Sequence, residues 1–242
     1  MDKRTNRLLH LHVPKTAGTA LRDALQKARG GSLRIFPHYD ERQFRGINVD
    51  DYDVFSGHFG FKTASEIGGD IITILRNPVD RFLSVYYFWR ELHASGAEIS
   101  PNTIIASKYS INDFVTIRDE PFMLEEFYNR VTWQIAYGSS LSHRREMRIA
   151  GRSDQQIYEM AVKNVSKFAV VGIQEDMAAF VRQFAKKTDL EISVGKVNVT
   201  KHRFGIDDIN VRTLREIHDW LYLDLELYAH ATAIASDRAK TQ

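Results

Sequence analysis

The stretch HVPKTAGTAL, residues 12–21, connects an apolar run at residues 8–13 to a helical pattern at residues 19–28. This order predicts a strand, a tight turn and then a helix. Backbone N–H groups at a helix N-terminus, together with the helix dipole, can bind an anion. Lys15 adds a full positive charge, and the neighbouring threonines add hydroxyl donors. Taken alone, the stretch fits an anion-binding turn and an ordinary connection capped by Thr19 equally well.

The composition is that of an ordinary globular protein, with 242 residues of which 43% are hydrophobic and 26% charged. We find no internal repeat or composition break, so we expect residues 1–242 to form a single domain. A net charge of +2 argues against nucleic acid as a partner. The lack of cysteine excludes disulfides, thiol catalysis and thiolate metal sites.

The apolar runs are short throughout the sequence. None approaches the length of a membrane span, and the run after the charged N-terminus is too short for a signal peptide. We therefore expect a cytoplasmic protein without a transmembrane segment.

Short β-branched runs alternate with helical patterns, which is typical of an α/β fold with a mostly parallel central sheet flanked by helices. The predicted strands are residues 8–13, 33–36, 54–56, 71–75 and 168–171. The predicted helices are residues 19–28, 79–93, 121–137, 154–164, 175–188 and 207–233. Residues 95–110 are predicted to form a surface loop, and residues 138–153 a mobile segment.

A second motif, ITILRNPVDRFLSVYYFWR at residues 72–90, begins inside a predicted buried strand. Arg76 follows that strand at the carboxyl edge of the sheet, where open parallel sheets bind ligands. Ser84 lies about two helical turns further on. A guanidinium and a hydroxyl suit a phosphate, although a salt bridge and a helix crossing are the commoner roles of such residues. Two such turns predict a ligand with two separated phosphate-like groups.

His58 stands between Gly57 and the segment Phe59-Gly60, at the end of the predicted strand 54–56. Imidazole exchanges a proton near neutral pH, and glycine lets a substrate approach closely, but a single histidine beside glycine is more often structural. His10 and His12 share a strand face. We expect no metal there, because no nearby carboxylate or third histidine completes a ligand set.

The two motifs, which lie within roughly the first ninety residues, together resemble those of the sulfotransferases related to heparan sulfate 2-O-sulfotransferase. The resemblance implies a three-layer, P-loop-NTPase-like fold, a single sulfotransferase domain, and 3′-phosphoadenosine 5′-phosphosulfate (PAPS) as donor. It assigns Arg76 and Ser84 to the 3′-phosphate, and it makes His58 the catalytic base. The residues that it assigns to the 5′-phosphosulfate are Lys15, Thr16, Ala17, Gly18, Thr19 and Ala20.

A weaker match concerns VNVTKHR at residues 197–203, which resembles the loop that closes over the nucleotide in this family. It places Thr200 and Lys201 against the donor, while a solvated basic turn is equally compatible with the sequence.

The mechanism implied by the resemblance is in-line transfer of the sulfuryl group to an acceptor hydroxyl, without a metal. His58 removes the hydroxyl proton, and Lys15 stabilises the charge on the leaving oxygen. We expect a glycan, glycolipid or small metabolite as acceptor. Animal relatives carry a membrane anchor that this sequence lacks, which suggests a bacterial, cytoplasmic setting.

Several residues could contact the acceptor, because aromatic faces beside amides and arginines suit a sugar. The candidates on the predicted helices are Tyr86, Tyr87, Trp89, Arg90, Asn129, Arg130, Trp133 and Gln134. The basic cluster at residues 143–152 fits either an acceptor-binding lid or a solvated loop.

Two other functions stay open at this point. A P-loop kinase or NTPase would place glycine before the lysine, whereas Lys15 precedes Gly18, and no acid suited to Mg²⁺ is evident. A non-catalytic protein that binds nucleotide or glycan would have little need of both Lys15 and His58.

Overall fold

The computed structural model describes residues 7–44, 46–195 and 209–240. Within these ranges the strands are β1 Leu8–Leu11, β2 Val54–Gly57, β3 Asp70–Leu75 and β4 Val170–Ile173. They form one parallel sheet in the order β2-β1-β3-β4. The helices are α1 Gly18–Lys27, α2 Phe61–Ile67, α3 Pro78–Ala94, α4 Pro101–Lys108, α5 Ile111–Phe114, α6 Pro121–Glu126, α7 Arg130–Ala136, α8 Leu141–Ile149, α9 Asp154–Val165, α10 Met177–Thr188 and α11 Val211–Lys240.

Helices cover both faces of this sheet. Successive strand residues point to opposite faces, so Leu9 and Leu11 of β1 join one apolar cluster, with residues of α7, α9 and α11. Leu8 joins the other cluster, with residues of α1 and α10. The predicted α/β fold with a parallel sheet between helical layers is therefore confirmed.

A third apolar cluster lies among the helices. Phe82 of α3, Phe114 of α5 and Trp220 of α11 are buried together in it. The indole N–H of Trp220 donates to the carbonyl of Val115 at 2.9 Å. The cluster fixes α3, which carries part of the second motif, against α11.

The prediction of a loop at residues 95–110 is wrong, because α4 lies inside it. Ser100 and Thr103 form a capping box, and Pro101 occupies the first helical position. The polar residues that suggested a loop therefore mark a helix start. The mobile segment predicted at residues 138–153 is wrong in the same way, since Ser140 caps α8.

The helix predicted at residues 121–137 is broken into α6 and α7. Helix α6 ends at Glu126, and Asn129, with a left-handed φ of 47°, is the N-cap of α7. Its side-chain oxygen accepts the backbone N–H of Leu223 at 2.8 Å, so contact with α11 fixes the break.

Smaller differences concern the ends of elements. The strand predicted at residues 33–36 is reduced to one isolated bridge from Ile35 to Val54. Helix α11 runs to Lys240, beyond the predicted end. None of the described helices is both long enough and apolar enough to cross a membrane.

Candidate active site

The three sequence motifs meet at the carboxyl edge of the sheet. Strands β2, β1 and β3 are neighbours, and the ends of β1 and β2 are paired through Leu11 and Gly57. His58 follows β2, and Lys15 lies in the turn after β1. Arg76 follows β3, and its Nη1 donates to the carbonyl of Lys15 at 3.3 Å. The sheet order thus places the candidate base and both anion motifs side by side.

The turn after β1 curls through two left-handed residues, Lys15 with φ 68° and Ala17 with φ 65°. Helix α1 begins at Gly18, and the cap position provides no side-chain hydrogen bond. Within the described chain, no group accepts a hydrogen bond from the backbone N–H groups of residues 15–20. A curl of unpaired N–H groups at a helix N-terminus is a binding site for an anion.

The side chains in this turn differ in what they can offer a ligand. The hydroxyl of Thr16 is buried and donates to the carbonyl of Val13 at 2.8 Å, so it stabilises the turn itself. Thr19 is exposed on α1. Ala20 packs into the core. The predicted contacts of residues 16–20 therefore rest mainly on backbone N–H groups and on the hydroxyl of Thr19.

Lys15 is held in place by α3. Its Nζ lies 3.6 Å from the centre of the Phe88 ring, which is a cation–π contact. Burial, and then the positive charge of Arg76, lower the pKa of Lys15 to about 8. The ammonium is thus charged at neutral pH but unusually ready to lose its proton.

Arg76 and Ser84 lie on either side of the start of α3. Asn77 caps this helix by accepting the backbone N–H groups of its first turn, and Pro78 begins it. Arg76 is half-buried just before the cap. Ser84 lies in the second turn and is 4% exposed.

Three histidine rings lie side by side next to the turn, of which His10 and His12 are stacked and His58 is tilted. The ring centroids of His10 and His12 are 5.1 Å apart, and those of His12 and His58 are 4.7 Å apart. His10 Nδ1 lies 2.8 Å from the hydroxyl of Ser56. The ring of His12 packs so tightly over Gly18 that a Cβ there would lie 1.9 Å from it. Gly18 is therefore needed for steric reasons.

His58 is thus a third histidine beside His10 and His12, a grouping that the sequence alone does not predict. Among the residues described, no group of three histidines or carboxylates is arranged to hold a metal ion. Burial and the neighbouring imidazoles lower the pKa of His10 to about 3, and that of His12 well below its usual value. The stacked rings are therefore neutral.

His58 opens into a cavity of about 880 Å³. Its backbone N–H donates to the carbonyl of Tyr39 at 2.7 Å, while its ring nitrogens bond to no residue that the structure describes. The surrounding protein desolvates the ring, and the nearby charge of Arg130 acts in the same direction, so the pKa of His58 is lowered to about 4. A neutral imidazole facing a cavity can accept a proton from a bound hydroxyl.

A buried ion-pair network lies beside both candidate catalytic residues. Glu126 accepts from Arg81 Nη1 at 2.7 Å and pairs with Arg130 at 3.2 Å. Arg81 also donates to the carbonyl of Pro14, at 3.5 Å, in the turn. Arg81 and Glu126 are site residues that the sequence did not predict, because nothing in their local sequence indicates that they meet.

Most of the proposed acceptor contacts have other roles. Arg130 does line the cavity, as does His143. Arg90 donates to the carbonyl of Ala106 at 2.7 Å and so completes the end of α4. The residues that pack in the apolar clusters are Tyr86, Tyr87, Trp89 and Trp133.

The side chains of the two remaining acceptor candidates also form hydrogen bonds within the protein. Asn129 forms the helix break described above, and Gln134 donates to the carbonyls of His12 and Phe59 at 3.1 and 3.0 Å. Gln134 therefore ties the turn after β1 to the segment after His58. Thr200 and Lys201 lie outside the described residues.

Comparison with known proteins gave the following matches. The profile of a family described as the sulfotransferase family matches residues 1–231. Among solved structures, the crystal structure of mouse sulfotransferase SULT7A1 complexed with PAP aligns with a TM-score of 0.43 and 14% sequence identity. That alignment covers 90% of this chain and 64% of the mouse chain. No curated protein matches the sequence.

Proposed function

Because the chain belongs to the sulfotransferase family, we propose that it transfers the sulfuryl group of PAPS to a hydroxyl of a carbohydrate or glycoconjugate. The observation that carries the proposal is the meeting of three strand ends. They bring together the N–H groups of residues 15–20, which donate to no group in the described ranges, the cations Lys15 and Arg76, and the neutral His58.

Two anion-binding features support a donor that carries two anionic groups. The curled N–H groups of residues 15–20, with Lys15, would hold the 5′-phosphosulfate. Arg76 and Ser84, at the start of α3, would hold the 3′-phosphate, since a guanidinium binds phosphate through parallel hydrogen bonds. PAPS supplies an activated sulfuryl group when bound.

The residues of the chain then act on the acceptor and on the leaving oxygen. His58 faces the cavity, its ring nitrogens bond to none of the described residues, and it would remove the proton of the attacking hydroxyl. Lys15 would stabilise the negative charge that develops on the oxygen bridging sulfur and phosphorus. Both roles agree with the charge states, since His58 is neutral and Lys15 charged at neutral pH.

A thermal-shift titration with 3′-phosphoadenosine 5′-phosphate (PAP), ATP and AMP tests this function against the two alternatives. We expect PAP to raise the melting temperature most, because only PAP carries both phosphate positions. Mg²⁺-dependent ATP hydrolysis would instead identify a kinase or NTPase. Binding of PAP without sulfate transfer to a broad hydroxyl panel would identify a non-catalytic binder.

Arg76→Ala should weaken PAP binding far more than AMP binding. Losing a charge-assisted hydrogen bond to a phosphate lowers affinity about tenfold or more. AMP has no 3′-phosphate, so its affinity does not depend on this contact. Isothermal titration calorimetry with both nucleotides measures the difference. Arg182→Ala, on the exposed side of α10, is the matched control and should change neither affinity. Equal weakening of PAP and AMP would show that Arg76 does not bind the 3′-phosphate.

The affinity for PAP should fall as the pH rises through about 8. The pKa of Lys15 is lowered to about 8 by burial and by Arg76, so the ligand-free protein loses this charge above that pH. If PAP binds only to protein in which Lys15 is protonated, the dissociation constant of PAP rises about tenfold per pH unit above pH 8. Calorimetry on both sides of pH 8 measures the slope.

The matched variant for this pH dependence is Lys15→Arg, whose guanidinium stays charged. It should bind PAP with an affinity that changes little over the same range. A flat profile in the natural protein, or the same slope in the variant, would contradict the assignment to Lys15.

A further inference from the structure

His12 has no role in the reaction proposed above, although its ring lies against both halves of the site. A Cβ on Gly18, the first residue of α1, would lie 2.0 Å from Nε2 of His12. The centroid of the same ring lies 4.7 Å from that of His58. The side chain of His12 therefore connects the anion-binding turn to the candidate base.

The surrounding chain holds His12 in this place. Its backbone N–H donates to the carbonyl of Gly57 at 2.9 Å, and its carbonyl accepts the side-chain amide of Gln134 at 3.1 Å. The ring of His10 stacks on it with centroids 5.1 Å apart. His12 is 5% exposed. Because neighbours fix the residue on several sides, its ring nitrogens are in position before a ligand binds.

The two ring nitrogens of His12 differ in what they can bind. Nδ1 is enclosed and forms no hydrogen bond with a described group. Nε2 also bonds to no described residue, and it lies on the ring edge that faces Gly18. Burial, above all, holds the pKa of His12 well below its ordinary value, so the ring is neutral and carries a single N–H. A sulfuryl oxygen only accepts hydrogen bonds, so a bond to it places that proton on Nε2.

In-line transfer fixes where the sulfuryl group has to lie. The attacking hydroxyl is assigned to His58, and the leaving oxygen to Lys15 and the turn. The sulfur atom lies on the line between these two oxygens, as phosphorus does in phosphoryl transfer. Gly18 and His58 flank that line, and the ring of His12 lies against both of them. An N–H donor at Nε2 is thus beside the path of the transferred group.

We propose that His12 is a third catalytic residue, whose Nε2–H donates to a non-bridging oxygen of the sulfuryl group and holds that group in line for attack. This inference rests on the proposed function, since it takes the turn as the donor site and His58 as the base. The acceptor oxygen forms its bond to sulfur while the bond from sulfur to the bridging oxygen breaks, and the bridging oxygen leaves with the electron pair as part of PAP. The hydroxyl proton goes to His58, and His12 keeps its own proton throughout.

The binding test compares PAPS with PAP, because only PAPS carries the sulfuryl group. Both are titrated calorimetrically, without acceptor, into the natural protein, His12→Asn and His12→Gln. A glutamine amide reaches the level of Nε2 and keeps an N–H donor there, whereas asparagine is one bond shorter and ends near the level of Nδ1. We expect His12→Asn to weaken PAPS binding about tenfold, the usual effect of one hydrogen bond to a charged group, and to leave PAP binding unchanged. His12→Gln should keep most of the natural ratio of the two affinities.

Turnover is the second measurement. His12→Asn should lower the transfer of labelled sulfate about a hundredfold, the scale for a reacting group displaced by about 1 Å. His12→Gln should recover much of this loss. An amide takes up no proton near neutral pH, so recovery by glutamine identifies a hydrogen-bond donor and excludes a base at this position.

The control for packing is His10→Asn. His10 is fully buried and stacks on His12, so it touches no nucleotide. Its substitution should leave the ratio of PAPS to PAP affinity unchanged, even where the melting temperature falls. If His12→Asn does not fold, His12→Phe replaces it with the same expected loss, because it keeps a ring against Gly18 but has no N–H.

The outcomes distinguish failure of the inference from failure of the function. If the natural protein binds neither PAP nor PAPS, the proposed function itself fails. If it binds both and His12→Asn weakens both equally, His12 only supports the turn, and the inference is wrong while the donor site stands. Natural PAPS affinity and turnover in His12→Asn, or losses in His12→Gln as large as those in His12→Asn, would also overturn it.

Discussion

Lys15→Ala should abolish sulfuryl transfer, lowering the turnover rate by at least about a thousandfold, the usual loss when a group that stabilises developing charge is removed. The ammonium lies at the start of the turn whose N–H groups bond to no described residue, and Phe88 holds it there. Donor affinity should fall as well, because Lys15 is also assigned to the 5′-phosphosulfate. Charge on the leaving oxygen grows only in the transition state, so the loss of turnover should be larger than the loss of affinity. Steady-state transfer of labelled sulfate from PAPS measures it.

The matched control for this experiment is Lys27→Ala. Lys27 ends the same helix, α1, and is exposed, so its removal should leave transfer unchanged. Circular dichroism and melting temperature confirm that the Lys15 variant is folded. Retained transfer in a folded Lys15→Ala protein would remove Lys15 from the leaving-group role.

His58→Ala should lower turnover by about a hundredfold to ten-thousandfold, the range for a missing general base, with PAP affinity unchanged. The ring faces the cavity and bonds to no described group, so the substitution removes a proton acceptor without opening the donor turn. Because the pKa of His58 is about 4, the natural enzyme should keep its base neutral well below neutral pH. Calorimetry with PAP and the transfer assay together separate binding from turnover.

Two further variants make the His58 experiment specific. His58→Gln keeps a polar side chain of similar size but cannot act as a base near neutral pH, and it should lose turnover as well. His38→Ala removes an exposed histidine from the segment between α1 and β2 and should have no effect. Equal loss of PAP affinity and turnover in His58→Ala would mean that His58 supports the donor site.

The parts of this site that the sequence predicted are those encoded by adjacent residues. The unit of β1, turn and α1 follows from one continuous pattern, and Pro78 at the start of α3 marks a helix entry from sequence alone. The membership of the sulfotransferase family that the two motifs indicated is confirmed. The assigned site roles, including those of Lys15 and His58, stay predictions.

Features that depend on distant residues could not be predicted. The break between α6 and α7 needs Asp224 of α11, which is buried and accepts the backbone N–H groups of Val131 and Thr132. Burial raises the pKa of Asp224, and its hydrogen bonds oppose that effect. Likewise, nothing in the sequence KTAGT predicts that the Thr16 hydroxyl donates a hydrogen bond to the carbonyl of Val13.

The left-handed backbone at Lys15 and Ala17 has a consequence for how the turn meets its ligand. A non-glycine residue in this conformation costs about 1–2 kcal/mol, which the hydrogen bonds of Thr16 and Arg76 help to offset. Glycine would adopt the same angles freely, but it would also give the turn more alternative shapes. The side chains at these positions therefore narrow the conformational ensemble of the empty turn. A nucleotide meets a turn whose shape is already set, so binding at residues 15–17 costs little ordering of the backbone there.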